Sequence, residues 1–285
     1  MIEENLKLSD KRVITADSPD VNHYSFKEWT GDTDAITVGT IEENHVTITM
    51  PSRNITLNAT YNPYRILTVD NGIILSDIRF GLLYNWFAAN DIRNIANTNA
   101  HVPSEEEWDS LADFLGGYEI AGNKLREEGN YHWSISEYSG TNDVGFSAVG
   151  SGRRADPAQM SGLFTESTFW TCNELADIYG RHRLIASNSL MLWGMGSGSI
   201  KTNGYSLRLV VTEPINIVNN FGIYIGNDQK RYRCVLINGT WWMANNLAET
   251  KYRDGSLIPE VINDTVWENL TTGAMCAYNN DSIYI

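Results

Sequence analysis

Cysteine is scarce. Cys172, Cys234 and Cys276 are the only three in 285 residues, and no two of them form a Cys-x-x-Cys pair. That excludes a zinc ribbon and a thioredoxin-like motif, and an odd count leaves at least one thiol unpaired or shared with another chain. Buried, apolar thiols are the expectation. Positive charge is in deficit, with 21 Lys and Arg against 35 Asp and Glu and a formal net charge of −14. Nucleic acids and anionic membranes need a basic face, so neither is an expected partner. No apolar run approaches the ~18 residues of a membrane-spanning helix. The opening Met1-Ile2-Glu3-Glu4-Asn5 has neither the basic nor the apolar region of a signal peptide. Proline is rare, at 7, whereas Gly (23), Tyr (14) and Trp (9) are common. Aromatics set among Gly, Asn, Ser and Thr turns predict a loop-rich β or α+β protein rather than a helix bundle.

Residues 1–64 read as all-β. Short strands are predicted at Val13-Ile14-Thr15, at 45–50 and at 54–61, where Ile55, Leu57, Ala59 and Tyr61 share one face. Pro51-Ser52-Arg53-Asn54 is the turn between the last two. Phe26-x-x-Trp29-x-Gly31-Asp32, Thr49-Met50-Pro51 and Ile55-x-Leu57-x-Ala59-x-Tyr61 resemble the Listeria–Bacteroides (InlB B-type) repeat. That resemblance implies a small β-rich spacer of bacterial surface proteins.

A turn at Asp70-Asn71-Gly72 precedes the continuous apolar stretch 81–89. The clearest local signal follows. Ser104 with Glu107 makes a capping box, Trp108, Leu111, Ala112 and Leu115 follow at helical spacing, and Gly116-Gly117 stops the helix. Residues 120–175 read as turns and short apolar pieces, and 178–211 as short strands. The ordered series Gly81-Leu82-Leu83-Tyr84-Asn85-Trp86-Phe87-Ala88, His101-Val102-Pro103-Ser104-x-x-Glu107-Trp108, Ala121-Gly122-x-Lys124-Leu125, Gly145-Phe146-Ser147-Ala148, Phe169-Trp170-Thr171 and Gly204-Tyr205-Ser206-Leu207-Arg208 resembles the Fibrobacter succinogenes major paralogous domain. The resemblance implies a C-type lectin-like α+β fold for 65–213, after a small N-terminal all-β domain.

Residues 221–285 resemble the first half of that same family, through Trp241-Trp242-Met243-Ala244-x-Asn246-Leu247, Lys251-Tyr252-x-Asp254-Gly255 and Ala277-Tyr278-Asn279-Asn280-Asp281. The chain thus carries the second half first. Either the tail is an incomplete repeat cut from a tandem array, or it completes the central domain as a circular permutant. Trp241, Trp242, Met243, Leu247 and Trp267 are costly to leave in water, which favours the permutant.

No motif carries catalysis, a metal or a cofactor. Gly194-x-Gly196-x-Gly198-x-x-Lys201-Thr202 lacks the Gly before Lys that a phosphate loop needs and reads as a tight turn. His101 reads as a packed, hydrogen-bonded structural residue. The C-type lectin-like class includes formylglycine-generating enzymes, but Cys172 has no cysteine partner near it to activate it. The informative stretch is 177–199, where Arg181, His182, Arg183, Met191, Trp193 and Met195 stand in place of the family's Asn, Tyr and Ser. Trp, Tyr, Arg and Met are the residues enriched at binding hot spots. Related proteins are diversified by retroelements at adenine-encoded, often Asn, positions, and the departure from Asn fits that system.

Strand alternation places Tyr179, Arg181, Arg183 and Ile185 in one row and Trp193, Met195, Ser197 and Ser199 in another. The expected function is a non-enzymatic binding or adhesion protein on a bacterial surface or a phage tail, extracellular, with a protein or glycan partner. An acidic partner is expected from the two arginines. The alternatives are a purely structural surface module and, behind it, a formylglycine-generating-type modifying enzyme. Arg208 is expected to hold the fold through buried contacts rather than to bind ligand.

Overall fold

A computed structural model describes the regular elements within residues 11–74 and then residues 80–285, apart from 130, 135 and 156–157. The turns expected at Pro51–Asn54 and at Asn71-Gly72, and Met50-Pro51 of the repeat pattern, lie outside the described residues. The chain divides into two compact units, Met1–Leu67 and Thr68–Ile285. In the first, β1 (Lys11–Thr15), β2 (Tyr24–Gly31), β3 (Ile36–Val38), β4 (His45–Thr49) and β5 (Leu57–Pro63) follow one another, with a short 3-10 turn at Thr33–Ala35. All pairing is antiparallel: β4 lies between β1 and β3, and β2 pairs with β5.

The second unit is mixed α+β, mostly sheet with few helices. It opens with the hairpin β6 (Val69–Asp70) and β7 (Ile73–Ile74), then β8 (Leu83–Tyr84), α1 (Trp86–Ala89), β9 (Ala100–His101), α2 (Glu105–Phe114) and α3 (Tyr118–Leu125). Next come β10 (Ser151–Ala155), β11 (Gln159–Leu163), β12 (Glu166–Ala176), β13 (Tyr179–Ala186), β14 (Leu192–Trp193) and β15 (Gly198–Ile200). The chain continues through β16 (Val210–Val211), β17 (Ile215–Val218), β18 (Phe221–Ile225), β19 (Arg231–Ile237), β20 (Thr240–Met243), α4 (Asp264–Glu268) and β21 (Met275–Cys276).

Local chemistry sets α2 as the sequence predicts. The Ser104 hydroxyl accepts from the Glu107 N–H at 3.3 Å, and the Glu107 carboxylate accepts from the Ser104 N–H at 2.8 Å. These two bonds satisfy donors that a bare helix start leaves open. Gly116 and Gly117 both take positive φ and end the helix. Helix α3 was not foreseen, because Gly122 and Asn123 are poor helix formers. Packing overrides them: a Cβ at Gly122 would collide with the Met191 carbonyl, so only glycine lets the β13–β14 connection approach. His101 is corrected in part. It is hydrogen-bonded as expected, Nε2 to Glu107 Oε1 at 2.8 Å, but exposed rather than packed.

One sheet runs in the order β11-β10-β12-β13-β14, with β15 also on β13. The other runs β17-β18-β19-β20-β16-β9. Its centre joins distant sequence: Val210 faces Trp242 across one ladder, and His101 across the other. Residues 221–285 therefore bury their large side chains in the same unit. Trp242, Met243, Leu247 and Trp267 are all buried. Trp108 of α2 packs on Trp242 with ring centroids 5.0 Å apart, and Phe146 and Phe169 close the same cluster.

Arg208 is the most demanding group in this core. Tyr205, Leu207 and Leu209 point into one apolar cluster, as alternation predicts, and Arg208 points away from them yet is only 1 % exposed. Its Nε donates to Asn246 Oδ1 at 2.8 Å, Nη1 to the Phe146 carbonyl and, at 3.4 Å, to the Met243 carbonyl, and Nη2 to the Ser147 carbonyl at 2.8 Å. The guanidinium also lies 4.4 Å from the centre of the Phe146 ring. Burial pushes its pKa down to about 9, so it remains charged at neutral pH. Carbonyl dipoles and a ring face stand in for a counter-ion. Arg208→Met strands those carbonyls and is expected to cost about 2–4 kcal/mol in denaturant unfolding. A midpoint unchanged from the parent would remove this role from Arg208.

Glu249 is a second buried charge site. It accepts from Tyr232 Oη at 2.7 Å and from the Asp228 N–H at 2.8 Å, and a Cβ at Gly226 would strike its carboxylate. Burial, with the neighbouring Asp228 carboxylate, raises its pKa to about 8 from 4.5. A raised carboxyl pKa means the native state holds the proton more tightly than the unfolded chain. Its contribution to stability is full below pH 4.5 and is lost as pH rises through about 8. His182 acts oppositely: burial lowers it to about 4 from 6.5, so its contribution is lost as pH falls through that range. Above pH 6.5 the His182 effect is complete, while Glu249 and, in the same direction, the half-buried Glu166 carboxyl still lower stability as pH rises. Stability in urea is expected to fall between pH 6.5 and 8 in the parent chain, and to fall clearly less in Glu249→Gln. A parent chain with no such slope refutes the assignment.

Candidate functional site

The long hairpin of β12 and β13 carries the stretch singled out from the sequence. Phe169 faces Arg183 and Ser167 faces Ile185, with register shifts beyond Trp170 that widen the outer end. The turn 194–197 then runs alongside β13, because β14 pairs Trp193 with Leu184 and β15 pairs Gly198 with Arg181. Gly194 and Gly196 take positive φ, and the Ser197 N–H donates to the Gly194 carbonyl at 3.2 Å. The expected tight turn is present. Lys201, at its far end, is buried and engaged. Its Nζ donates to Glu174 and to the Asp177 carbonyl and sits 4.4 Å from the Trp86 ring centre, so it offers no phosphate contact.

The structure splits the two predicted rows. Tyr179, Trp193, Met195 and Ser197 are exposed. Arg183 and Ile185 are not on a surface at all, at 1 % and 0 % exposure, and are corrected to structural residues. The reason is tertiary. Helices α2 and α3 pack on that face of β13, so alternation sends the row inward. Arg183 donates to Glu105 Oε1 at 3.0 Å and to Asp109 Oδ1 at 2.7 Å, while Ile185 joins Trp108 and Leu125 in the core. Arg181 is half-buried and its Nε pairs with Glu105 Oε2 at 3.1 Å. Both arginines are thus neutralised by the first turns of α2, and the positive face expected from the sequence is absent. Ser199 is half-buried and committed inward, accepting from Tyr205 Oη at 2.8 Å and lying 3.3 Å from His182 Nδ1.

Two exposed residues escaped the sequence reading: Leu175 at 40 % and Ile178 at 59 %. The available signal was apolar residues flanking the tight reversal at Asp177. They extend the patch, since a Cβ at Gly198 would touch both Leu175 and Tyr179. Leu175, Ile178 and Tyr179 at the hairpin end, with Trp193 and Met195 along the adjoining turn, thus make a rim of exposed apolar and aromatic side chains, and His182, beside Ser199, is neutral. Burial, then the Arg183 and Arg153 charges, keep that imidazole at about 4.

Among the described residues, no group of three His, Cys, Asp or Glu side chains is placed to hold a metal ion. Cys234 and Cys276 are buried and Cys172 half-buried, all three as free thiols. Burial raises each thiol pKa, with Cys276 reaching about 11, and the Glu107 charge adds to the rise at Cys172. No described helix is long and apolar enough to cross a membrane.

No curated protein and no solved structure matches the chain significantly. A family profile does: that of the Fibrobacter succinogenes major domain, over residues 21–211. The match begins within the N-terminal β unit and stops before residues 221–285. It takes in the motifs from Gly81 through Arg208 and spans more than half of the sequence. The chain belongs to the Fibrobacter succinogenes major domain family.

Proposed function

We infer that this chain is a non-enzymatic binding module of C-type lectin-like fold, carried behind a B-type repeat-like spacer and displayed on a bacterial surface or a phage tail. The observation that carries the reading is the rim of Leu175, Ile178, Tyr179, Trp193 and Met195, exposed around one hairpin and one turn. The ladders of β12 to β15 fix the backbone, so these side chains are presented without being needed for the fold. Apolar and aromatic groups with no free cation suit a protein surface of matching apolar character, and the acidic partner expected from sequence is dropped. Binding through such a rim responds little to salt. The raised thiol pKa values weigh against a cysteine-dependent enzyme. Variation at 177–199 by a retroelement would be supported by a template copy of these codons beside a reverse-transcriptase gene.

The tail is read as the permuted first half of the domain. In support, β21 pairs with β8, and the Tyr284 ring lies 6.0 Å from Phe80, at the start of the family's Tyr-Asn-Trp segment. A chain ended at 213 is expected to be insoluble or molten by near-ultraviolet circular dichroism. Cooperative unfolding of that shortened chain at the parent temperature would refute the permutant.

Peptides selected from a random display library against the intact chain provide the binding test. Trp193→Ala and Met195→Ala are expected to weaken such peptides by about 1–3 kcal/mol while leaving the melting temperature unchanged. Unchanged affinity in both variants refutes the contact face. A loss of about 3–5 kcal/mol of stability in Trp193→Ala would make that indole a core residue instead.

A further inference from the structure

A groove of about 570 Å³ lies between the C-terminal end of α2, the loop 142–145 and the β-turns at 219–221 and 238–239. Phe114 lines it. It is the last residue of α2, is 51 % exposed, and belongs to none of the core clusters that take up Leu111, Ala112 and Leu115. Phe221 lines it too, packed against the core, with the Arg233 guanidinium 4.1 Å from its ring centre. The two phenyl rings give the groove apolar surface.

The remaining chemistry is amide and carboxylate. Asn219, Asn220, Asn238 and Asp143 line the groove. Asn219 and Asn238 take positive φ, which their turns require of the backbone, but the turns do not use the side-chain amides. Among the described residues none of these three asparagine side chains has a hydrogen-bond partner, so each keeps its donors and its acceptor for a ligand. Asp143 is a remote partner of Lys124 at 3.7 Å and is largely exposed. No Lys, Arg or His side chain lines the groove.

Those features select a ligand class. The two cations that flank these residues are already engaged, Lys124 with Asp143 and Arg233 on the Phe221 ring, so a phosphate, sulfate or carboxylate group finds no free partner, and Asp143 repels it. An enclosed apolar ligand is unsuited to a shallow, open trough. A neutral sugar chain meets each requirement. Its C–H faces lie on aromatic rings, and its vicinal hydroxyls each donate and accept, as an amide does. We propose that the groove between Phe114 and Phe221 is a binding site for a neutral oligosaccharide. It is distinct from the apolar rim and is assembled from both the central segment and the 221–285 tail.

The test is isothermal titration of the intact chain with cellohexaose, maltohexaose, xylohexaose and mannohexaose, with a heparin hexasaccharide as the anionic comparison. At least one neutral hexasaccharide is expected to bind with a Kd between about 10 μM and 1 mM. Phe114→Ala and Asn220→Ala are each expected to weaken it by about tenfold or more, as truncation of a contact residue does, with the melting temperature unchanged. Trp193→Ala is expected to leave sugar binding intact, which separates this site from the peptide-binding rim. Any of three results overturns the proposal: no neutral sugar binding, the heparin fragment binding as well as the best neutral one, or binding indifferent to both Phe114→Ala and Asn220→Ala.

Discussion

A buried guanidinium whose hydrogen bonds go to carbonyl and amide oxygens governs how this domain is put together. Arg208 reaches one way to the carbonyls of Phe146 and Ser147 and the other way to Met243 and Asn246. Such a group is stable in a core only while every donor finds an acceptor. The two acceptor sets lie on stretches about a hundred residues apart in the chain, so the charge ties tail to centre. Arg154 does the same elsewhere: fully buried, it donates to the Val261 carbonyl at 2.7 Å and the Ile262 carbonyl at 3.3 Å, and pairs with Asp264. Arg126 clamps the Ser187 carbonyl at 2.7 Å together with that of Tyr138. Loops that a sheet-poor region would leave loose are held by these fixed forks, each of which offers several donors in one plane.

The sequence was most informative where a short segment settles its own structure. The Ser104–Glu107 box, the 108–115 spacing and the Gly116-Gly117 stop need no distant partner, and α2 follows them closely. Arg208 was also legible, because a charge inside an alternating apolar run is either buried and paired or misplaced. Reading failed where a distant element decides the outcome. Alternation correctly put Arg181, Arg183 and Ile185 in one row, but not on the outside, since what covers that row is a helix some seventy residues earlier. The same distance hid the acids that neutralise the arginines. Trp193, Met195 and Tyr179 were legible because a loop rich in glycine and serine cannot bury large side chains by itself. The groove by Phe114 was not, since its walls come from three separated stretches.

The arrangement also divides labour along β13. The covered row carries the ion pairs and the core contacts that hold α2 and α3 against the sheet, and on the other face Gly180 and His182 pack against Trp86, Trp170 and Tyr205. Exposed Tyr179, at the strand's start, makes few such contacts. Substitution is therefore expensive through the middle of this eight-residue strand and cheap at its outer end.

The aromatic cluster has an optical consequence. Trp108 and Trp242 approach to 5.0 Å at an angle of 59°, and one comes from the central segment while the other comes from the tail. Indole transitions that close and that inclined couple as an exciton pair, which splits their absorption into bands of opposite rotational sign. The intact chain therefore carries a spectroscopic mark of its own assembly. It arises at the seam between the two segments and vanishes whenever they separate, even while each keeps its local backbone structure.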